Sequence, residues 1–473
     1  FSLQILAEKI RLKLLNIYRA QELGKNEMDI LAALTLGYKR EIDPETKQVF
    51  SSAGAMHILA VSGLHVGIIY FILNFLFGFL RRQKAGKVVY VLIIITALWV
   101  FAFVTGLSHS VSRAATMFTF VVIGNNLQRQ TNIYNSLAGS ALFLLLLNPN
   151  NLFNVGFQLS YSAVFGIIFL QPRLQKLMHV RQKFPNYFWQ LLTVSVAAQI
   201  ATFPLSLYYF NQFPTWFWIS NLFVIPAVFV LIPLGFALLL FHAVPLFGPL
   251  LAFLADKMIF PLFFMLRTIE SLPFSTVQFV LSPLELTLLL SLLLSVFIFI
   301  AARKKIYFKA VLVFMLLVSV FSFVKKINRL QQKQLIVYND SANTIVHLIS
   351  GKENYVISTK PLNKESYSMR IINNTIKKLQ LEKPIFLNAG QNYFDAFIAV
   401  QNNLVVFDNK TILLHPDVPL QNFTPEIVIN PKGDLQLKPS TQVVLNKKYY
   451  PKENEQNTHQ FNLQKEGAYL KKW

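Results

Sequence analysis

Polar and apolar positions alternate along this chain with three different rhythms. From Leu3 to Ile17 the apolar residues Leu3, Leu6, Ile10, Leu14 and Ile17 keep a helical period, with Lys9, Arg11, Lys13 and Arg19 elsewhere on the wheel. That pattern predicts an amphipathic helix, lying either on a membrane surface or on a neighbouring domain. A second helix is predicted to start at Asp29 and run to Leu36, where Gly37 ends it, and Asp43-Pro44 reads as a turn. Long apolar runs then follow near 57–80, 88–106, 109–124, 133–147, 155–171, 188–209, 215–241, 250–269, 284–301 and 306–324. A helix needs about 20 apolar residues to cross a bilayer, so the fourth and fifth runs are short. Pro226 and Pro233 predict a kinked or discontinuous seventh. Beyond Lys333 the rhythm shortens to β-rich runs such as QLIVYN, TIVHLIS, LVVF and EIVIN, punctuated by Asn, Asp, Gly and Pro. One helical stretch, MRIINNTIKKLQL, interrupts them.

The fold class that follows is a polytopic α-helical membrane protein of about ten spans, some short or broken, with a C-terminal soluble α+β domain. The expected divisions are 1–50, a soluble or amphipathic helical lead-in; 51–325, the transmembrane domain; and 326–473, the soluble domain. Composition agrees, with 54% hydrophobic and 14% charged residues and a mean hydropathy of +0.46. The net charge is +22, and acids are scarce where the chain is apolar: between 51 and 324 stand only Asp256, Glu270 and Glu285. Basic loops at Arg81–Lys87 and Arg173–Lys183 and an uncharged loop at 148–154 place both chain ends outside. Lys325, Lys326, Arg329 and Lys333 pull against that assignment. The absence of cysteine excludes disulfides, thiolate metal sites and thiol catalysis. Phe1 and the lack of a signal peptide read as a start internal to a longer chain.

Polar residues inside the apolar runs carry the candidate chemistry. The first run holds His57, Ser62, Gly63 and His65. On one continuous helix Ser62 and His65 lie about 60° apart and His57 and His65 about 80°, so all three share a stripe. Such groups face a bundle interior or a wet path. Gly63 and Gly67 invite close approach of another helix. Arg113, at the head of the third run, keeps its proton and needs water, a carbonyl or an anion; it reads either as an interfacial arginine or as an anion contact. Gln158, Ser160 and Ser162 serve either hydrogen bonds between helices or a polar lining. Arg267 and Glu270 read as a local ion pair. Ser62 lacks the glycine before it that a hydrolase elbow needs, and no acid is near in sequence. No HxHxDH, HEXXH or GxxxxGK[ST] occurs, and no catalytic metal, cofactor or nucleotide-driven step is expected.

Three stretches, in order, resemble the signature motifs of the ComEC family, the competence-type channel of bacterial DNA uptake. They are LGYKREIDPETKQVFSSAGAMHILAVSGLHVGII, GLSHSVSRAATM and NVGFQLSYSAVFGI. The resemblance implies a multi-pass channel in the bacterial cytoplasmic membrane that passes one DNA strand inward during natural transformation. Its transport path would involve His57, Ser62, Gly63, His65, Arg113, Gln158 and Ser160. Implied partners are single-stranded DNA, the lipid bilayer, the DNA-receptor and motor proteins of the uptake machinery, and a second copy of the chain. Family members often begin with an OB-like domain, of which only trailing helices are expected here. Many end in a metallo-β-lactamase-like domain. In this chain EIVINPKGD stands where a strand and HHGS are expected, so Asn430, Pro431, Lys432 and Gly433 replace metal-binding histidines. The tail therefore resembles a degenerate relative with no hydrolytic activity expected. Two other functions stay open: a transporter of a smaller anionic or lipid-linked substrate, using broken helices and Arg113, and an intramembrane hydrolase centred on Ser62 and His65.

Overall fold

The apolar runs all become helices. A computed structural model of the chain describes residues 2–21, 23–126, 132–340, 343–363, 366–414, 425–430, 441–445, 459–463 and 467–473. The chain divides into two units, Phe1–Leu286 and Thr287–Trp473. In the first, the helices are α1 (Ser2–Arg19), α2 (Lys25–Leu36), α3 (Pro44–Ser52), α4 (Met56–Leu59), α5 (Gly63–Phe77), α6 (Lys84–Val104), α7 (His109–Asn126), α8 (Ile133–Leu147), α9 (Val155–Gln175), α10 (Lys183–Phe210), α11 (Phe217–Phe241) and α12 (Phe247–Ser271). Two three-residue strands, β1 (Gln212–Pro214) and β2 (Thr276–Gln278), pair antiparallel between them. Helix α13 (Pro283–Ala302) crosses the division and α14 (Lys305–Gln331) follows it. Among the described residues, eight of these helices are long and apolar enough to cross a membrane. Helix α8 is shorter, and α7 is less apolar because His109, Ser110, Ser112 and Arg113 fill its first turns. The protein is a multi-pass α-helical membrane protein with a strand-rich C-terminal region.

Four local expectations change. The first apolar run is not one helix: Ala60 and Ser62 are extended, with φ/ψ of −89°/115° and −127°/178°, so α4 ends and α5 begins anew. The angular argument that put His57, Ser62 and His65 on one stripe therefore does not apply. Helix α11 runs unbroken through Pro226 and Pro233; packing against α2, α10 and α12 supports the backbone that proline deprives of a hydrogen bond. Asp43-Pro44 is a helix start, with the Asp43 carboxylate accepting from the Thr46 amide at 2.6 Å and Pro44 in the first turn. That amide bond holds the Asp43 carboxyl below the usual carboxylate range. Arg267 bonds Glu45 at 2.9 Å, from another helix, rather than Glu270.

The largest surprise is α2. Gly24, not Asp29, precedes it, and Asp29 is buried within it. Gly37 does end it, in a left-handed conformation (φ 68°) with its amide on the Ala32 and Ala33 carbonyls. Ile30, Leu31, Ala32, Ala33, Leu34 and Leu36 are essentially without exposure and form the middle of the main core with α11, α12 and α4. A helix apolar all round is an interior helix. At 12 residues α2 is too short to span a bilayer, which is why it reads as surface lead-in from sequence. Helix α1 packs beside it: Leu15 and Tyr18 are fully buried, and the Tyr18 hydroxyl meets Thr35 Oγ1 and the Gly235 carbonyl at 3.0 Å each. Of the two readings of α1, packing on a neighbour holds.

The second unit is built from two sheets. One has the order β14 (Tyr469–Lys472), β3 (Lys333–Tyr338), β4 (Ile345–Ser350), β5 (Glu353–Ser358), β6 (Ile385–Asn388). The other has the order β13 (His459–Asn462), β12 (Gln442–Leu445), β11 (Ile427–Ile429), β10 (Lys410–Leu414), β9 (Leu404–Phe407), β8 (Ile398–Gln401), β7 (Tyr393–Phe394). Strands β7 to β10 pair antiparallel and β10 to β13 parallel. Alternate residues interleave in one core: Leu335 and Val337, Val346 and Leu348, Val405 and Phe407, Ile412 and Leu414. The other face of β3–β5, with Ile336, Ile345, Ile349 and Val356, is covered by α15 (Tyr367–Leu379), capped by Ser366. Burial of both faces explains why these strands read as continuous apolar runs.

Candidate functional site

Helix α7 brings the three motif stretches together. On one side, a methyl placed on Gly63 would lie 3.8 Å from Ala114, and one on Gly67 would lie 3.5 Å from the Phe118 ring. The Tyr70 and Phe118 rings are 5.0 Å apart. The glycines therefore do let a helix approach, and that helix is α7. On another side, Arg113 reaches the start of α9: its Nη1 and Nη2 lie 3.6 and 3.8 Å from where a Gly156 methyl would be.

Arg113 is 3% exposed. Its Nη2 donates to Ser110 Oγ at 3.1 Å, while Nε and Nη1 are buried with no acceptor. Among the described residues its guanidinium makes no ion pair; the arginines that do, Arg11, Arg19, Arg40 and Arg267, meet Glu8, Glu41 and Glu45. Asn154 starts α9 by accepting from the Phe157 amide at 3.2 Å. Gln158 is held at both ends, donating to the Leu152 carbonyl at 2.9 Å and accepting from the Tyr209 hydroxyl at 2.8 Å. Ser160 and Ser162 are half-buried on the same helix. Tyr161 meets Ser140 at 3.1 Å.

The start of α5 carries a second polar group. Ser62 is its N-cap, with Oγ accepting from the Leu64 amide at 3.3 Å. His65 Nδ1 accepts from the Ser62 amide at 3.3 Å and lies 3.1 Å from Ser62 Oγ. This reciprocal cap occupies Nδ1, so in the neutral ring Nε2 carries the proton. That nitrogen is buried without a partner. The Ser62–His65 contact is thus the reciprocal cap of a helix, with Nδ1 also within hydrogen-bond reach of the hydroxyl. His57, on α4, is exposed and donates Nδ1–H to the Gly54 carbonyl at 3.1 Å. Gly54 in turn packs on Pro214 and Phe217, and Gln212 donates to Ser51 Oγ at 2.6 Å, which fixes α3–α4 against the β1 turn.

Sequence reasoning passed over several contributors. Lys39 is half-buried and close enough to act electrostatically on His65, as is His57. Burial pulls the Lys39 ammonium below the usual lysine range. Its place inside the first quoted stretch was the available signal. Asn154, in the third stretch, was quoted but not singled out. Asn221 and Ser195, each with a buried oxygen lacking a partner, stand in apolar runs and carried no motif.

In the second unit His347 is fully buried between the Tyr338 hydroxyl (2.8 Å to Nδ1) and Asn354 Oδ1 (3.0 Å to Nε2). Asn430 is left-handed (φ 49°) and donates to Thr344 Oγ1 at 2.8 Å. Pro431, Lys432 and Gly433 lie outside the described residues. Among the described residues no three of His, Asp and Glu gather at metal-holding distance.

With this geometry in hand, similarity to known proteins can be weighed. The family model described as "Competence protein" matches residues 34–305, and the one described as "ComEC C-terminal domain" matches 335–469. "ComE operon protein 3" of Bacillus subtilis (strain 168) is 32% identical over 187 residues, which is 39% of this chain and 22% of that protein. An "Uncharacterized protein" of Aquifex aeolicus (strain VF5) is 29% identical over 131 residues, 28% of this chain and 30% of that protein. The matched stretches thus span less than a third of the length of either relative. No solved structure matches.

Proposed function

We infer what this protein does from one premise: the chain belongs to the competence-protein family, and its C-terminal region to the ComEC C-terminal domain. We propose that it serves DNA uptake in competence, as a channel in the cytoplasmic membrane that passes a single strand of DNA inward. One observation carries this reading: all three motif stretches meet at α7, through Gly63 and Gly67 on one side and through Arg113 against Gly156 on another, within a unit whose spanning helices hold almost no acids. A strand's phosphates cannot enter hydrocarbon, so they need a polar passage free of like charge. Phosphate contacts and base stacking make such a track blind to sequence. His57, Ser62, Gly63, His65, Arg113, Gln158 and Ser160 are the residues we assign to its wall or to the support of that wall, with Lys39 added.

Strand entry then depends on receptor and motor proteins, since no nucleotide-binding loop is present in the sequence. The tail, with Asn430-Pro431-Lys432-Gly433 in place of histidines, would leave degradation of the other strand to another protein. Both chain ends are assigned to the outer side, although Lys325, Lys326 and Arg329 form the last turns of α14 rather than a loop. A cysteine-free chain allows single introduced cysteines to map this without background.

Deletion of the gene is the primary test. Transformation with marked DNA should fall to background while DNA still binds the cell surface. Normal transformation after clean deletion sinks the proposal. Nicking of DNA by a clean preparation of the protein would overturn the reading of the tail.

A further inference from the structure

The geometry points to an oxyanion niche between Arg113 and the first turn of α9, fitted to one phosphodiester group of a nucleic-acid strand. The first amides of any α-helix lack intrahelical acceptors and gather partial positive charge. In α9 the Asn154 side chain takes the amide of Phe157, and those of Val155 and Gly156 have no acceptor among the described residues. Gly156 has no side chain to cover them and is half-exposed, so the turn can be approached from outside.

Behind that turn stands a guanidinium with open bonds. Arg113 is 3% exposed, yet its Nε and Nη1 have no acceptor among the described residues, and Nη1 sits 3.6 Å from where a Gly156 methyl would be, beside the Asn154 Oδ1 at 3.1 Å. An arginine cannot shed its charge, and buried charges are normally paired. The paired acids of this unit are taken by other arginines and by Lys257. What the site lacks is an anion supplied from elsewhere. Tetrahedral oxyanions match both halves of the niche, with one oxygen toward the amides and one toward the fork of the guanidinium.

The choice of a phosphodiester rests on the proposed passage of DNA; the oxyanion itself does not. A phosphodiester is charged at every pH of interest and identical at every nucleotide. A single contact of this kind would hold the backbone in register without reading bases. It is also weak enough to release the strand, as conduction requires.

The test uses the full chain in a maltoside detergent without phospholipid. A short fluorescent oligothymidylate is titrated across a salt series. In Arg113→Gln, affinity should drop about ten-fold, the scale of one charge-assisted bond. The slope of log affinity against log salt should shallow by about 0.7, the value for one lost single-strand phosphate contact. Arg113→Lys should keep the slope and lose part of the affinity. Gly156→Ala keeps the arginine and fills the approach, its methyl 3.1 Å from the Asn154 Oδ1 that must shift by a few tenths of an ångström; it should weaken binding, and it carries the test if Arg113→Gln does not fold.

Inorganic phosphate is the second probe. It should raise the thermal stability of the wild type and not that of Arg113→Gln. Unchanged affinity and slope in Arg113→Gln and Gly156→Ala overturn the niche as a strand contact, and absence of phosphate protection in the wild type overturns it altogether. Arg113-dependent phosphate protection without oligonucleotide binding keeps the niche and removes the DNA reading. Displacement of the oligonucleotide by phosphatidylglycerol through Arg113 reassigns the anion to a lipid headgroup and overturns the choice of a strand.

Discussion

Among the described residues two histidines have no exposure at all, and their surroundings differ in kind. His347, on β4 between β3 and β5, has an acceptor for its N–H and a donor for its lone pair. Asn354 passes the chain of bonds on to the Glu382 carbonyl at 2.9 Å. His65, at the start of α5, has one nitrogen committed to the helix cap and the other left without a partner. A buried polar group without a partner costs about 1–3 kcal/mol. Folds keep such groups where water, a ligand or motion completes them. The same holds for Arg113. His347 thus acts as structure, whereas His65 and Arg113 act as unmet valences. This difference separates residue types that the sequence treats alike.

Four experiments break or sharpen the contrast. His347→Leu should destabilise β3–β5 by about 2–4 kcal/mol, because the Tyr338 hydroxyl and Asn354 amide both lose their partner. Faster hydrogen exchange in those strands of the intact protein would register it. The paired change His65→Leu should leave exchange in α5 nearly as it was and reduce DNA uptake; equal destabilisation by both would erase the distinction.

Acid provides the second test. Burial holds His347 down to about 4, against 6.5 when exposed. The unfolded chain therefore takes the proton first. The stabilisation is complete above about pH 6.5 and is lost as pH falls toward 4, by about 3 kcal/mol in all. Exchange in β3–β5 should accelerate over that window beyond its chemical dependence, and His347→Leu should flatten the change. A flat wild-type profile would mean that the imidazole is not held neutral.

Third, Gly235→Ala puts a methyl 2.5 Å from Thr35 Cγ2, at a contact of α11 with α2. It should cost about 1–3 kcal/mol, read as a lower midpoint of thermal inactivation in detergent. The smallest effect belongs to Ser62→Ala, which removes one cap contact worth about 1 kcal/mol. Uptake should persist at a reduced level; complete loss with normal folding would revive the hydrolase reading.

Much of the fold was legible. Nine of the ten apolar runs each form one helix, because apolar length is a property of the run itself, and the first is split into α4 and α5. The tail's strands follow from short β-rich runs bounded by Asn, Asp, Gly and Pro, and α15 from a helical stretch among them. Illegible features were the ones set by distant partners. The α4–α5 break turns on how Ser62 and His65 cap one another, which apolar counting does not see. Glu45 was invisible as the partner of Arg267 because 222 positions separate them. Of the candidate site, Arg113 and Gln158 were found as polar intruders, while Lys39 lies in a polar stretch where a lysine stands out from nothing.

The sequence alone determined which segments are apolar enough to be helices, which alternate as strands, and where charge is excluded. These depend on neighbours along the chain, where side-chain hydrophobicity and backbone period act. Tertiary structure alone decided that the short helix α2 lies at the centre of its unit and that α7 joins the starts of α5 and α9. It also decided that one buried histidine is satisfied and the other is not. Hydrogen bonds and close packing need partners at specific distances in space, and no local pattern encodes which remote residue will stand there.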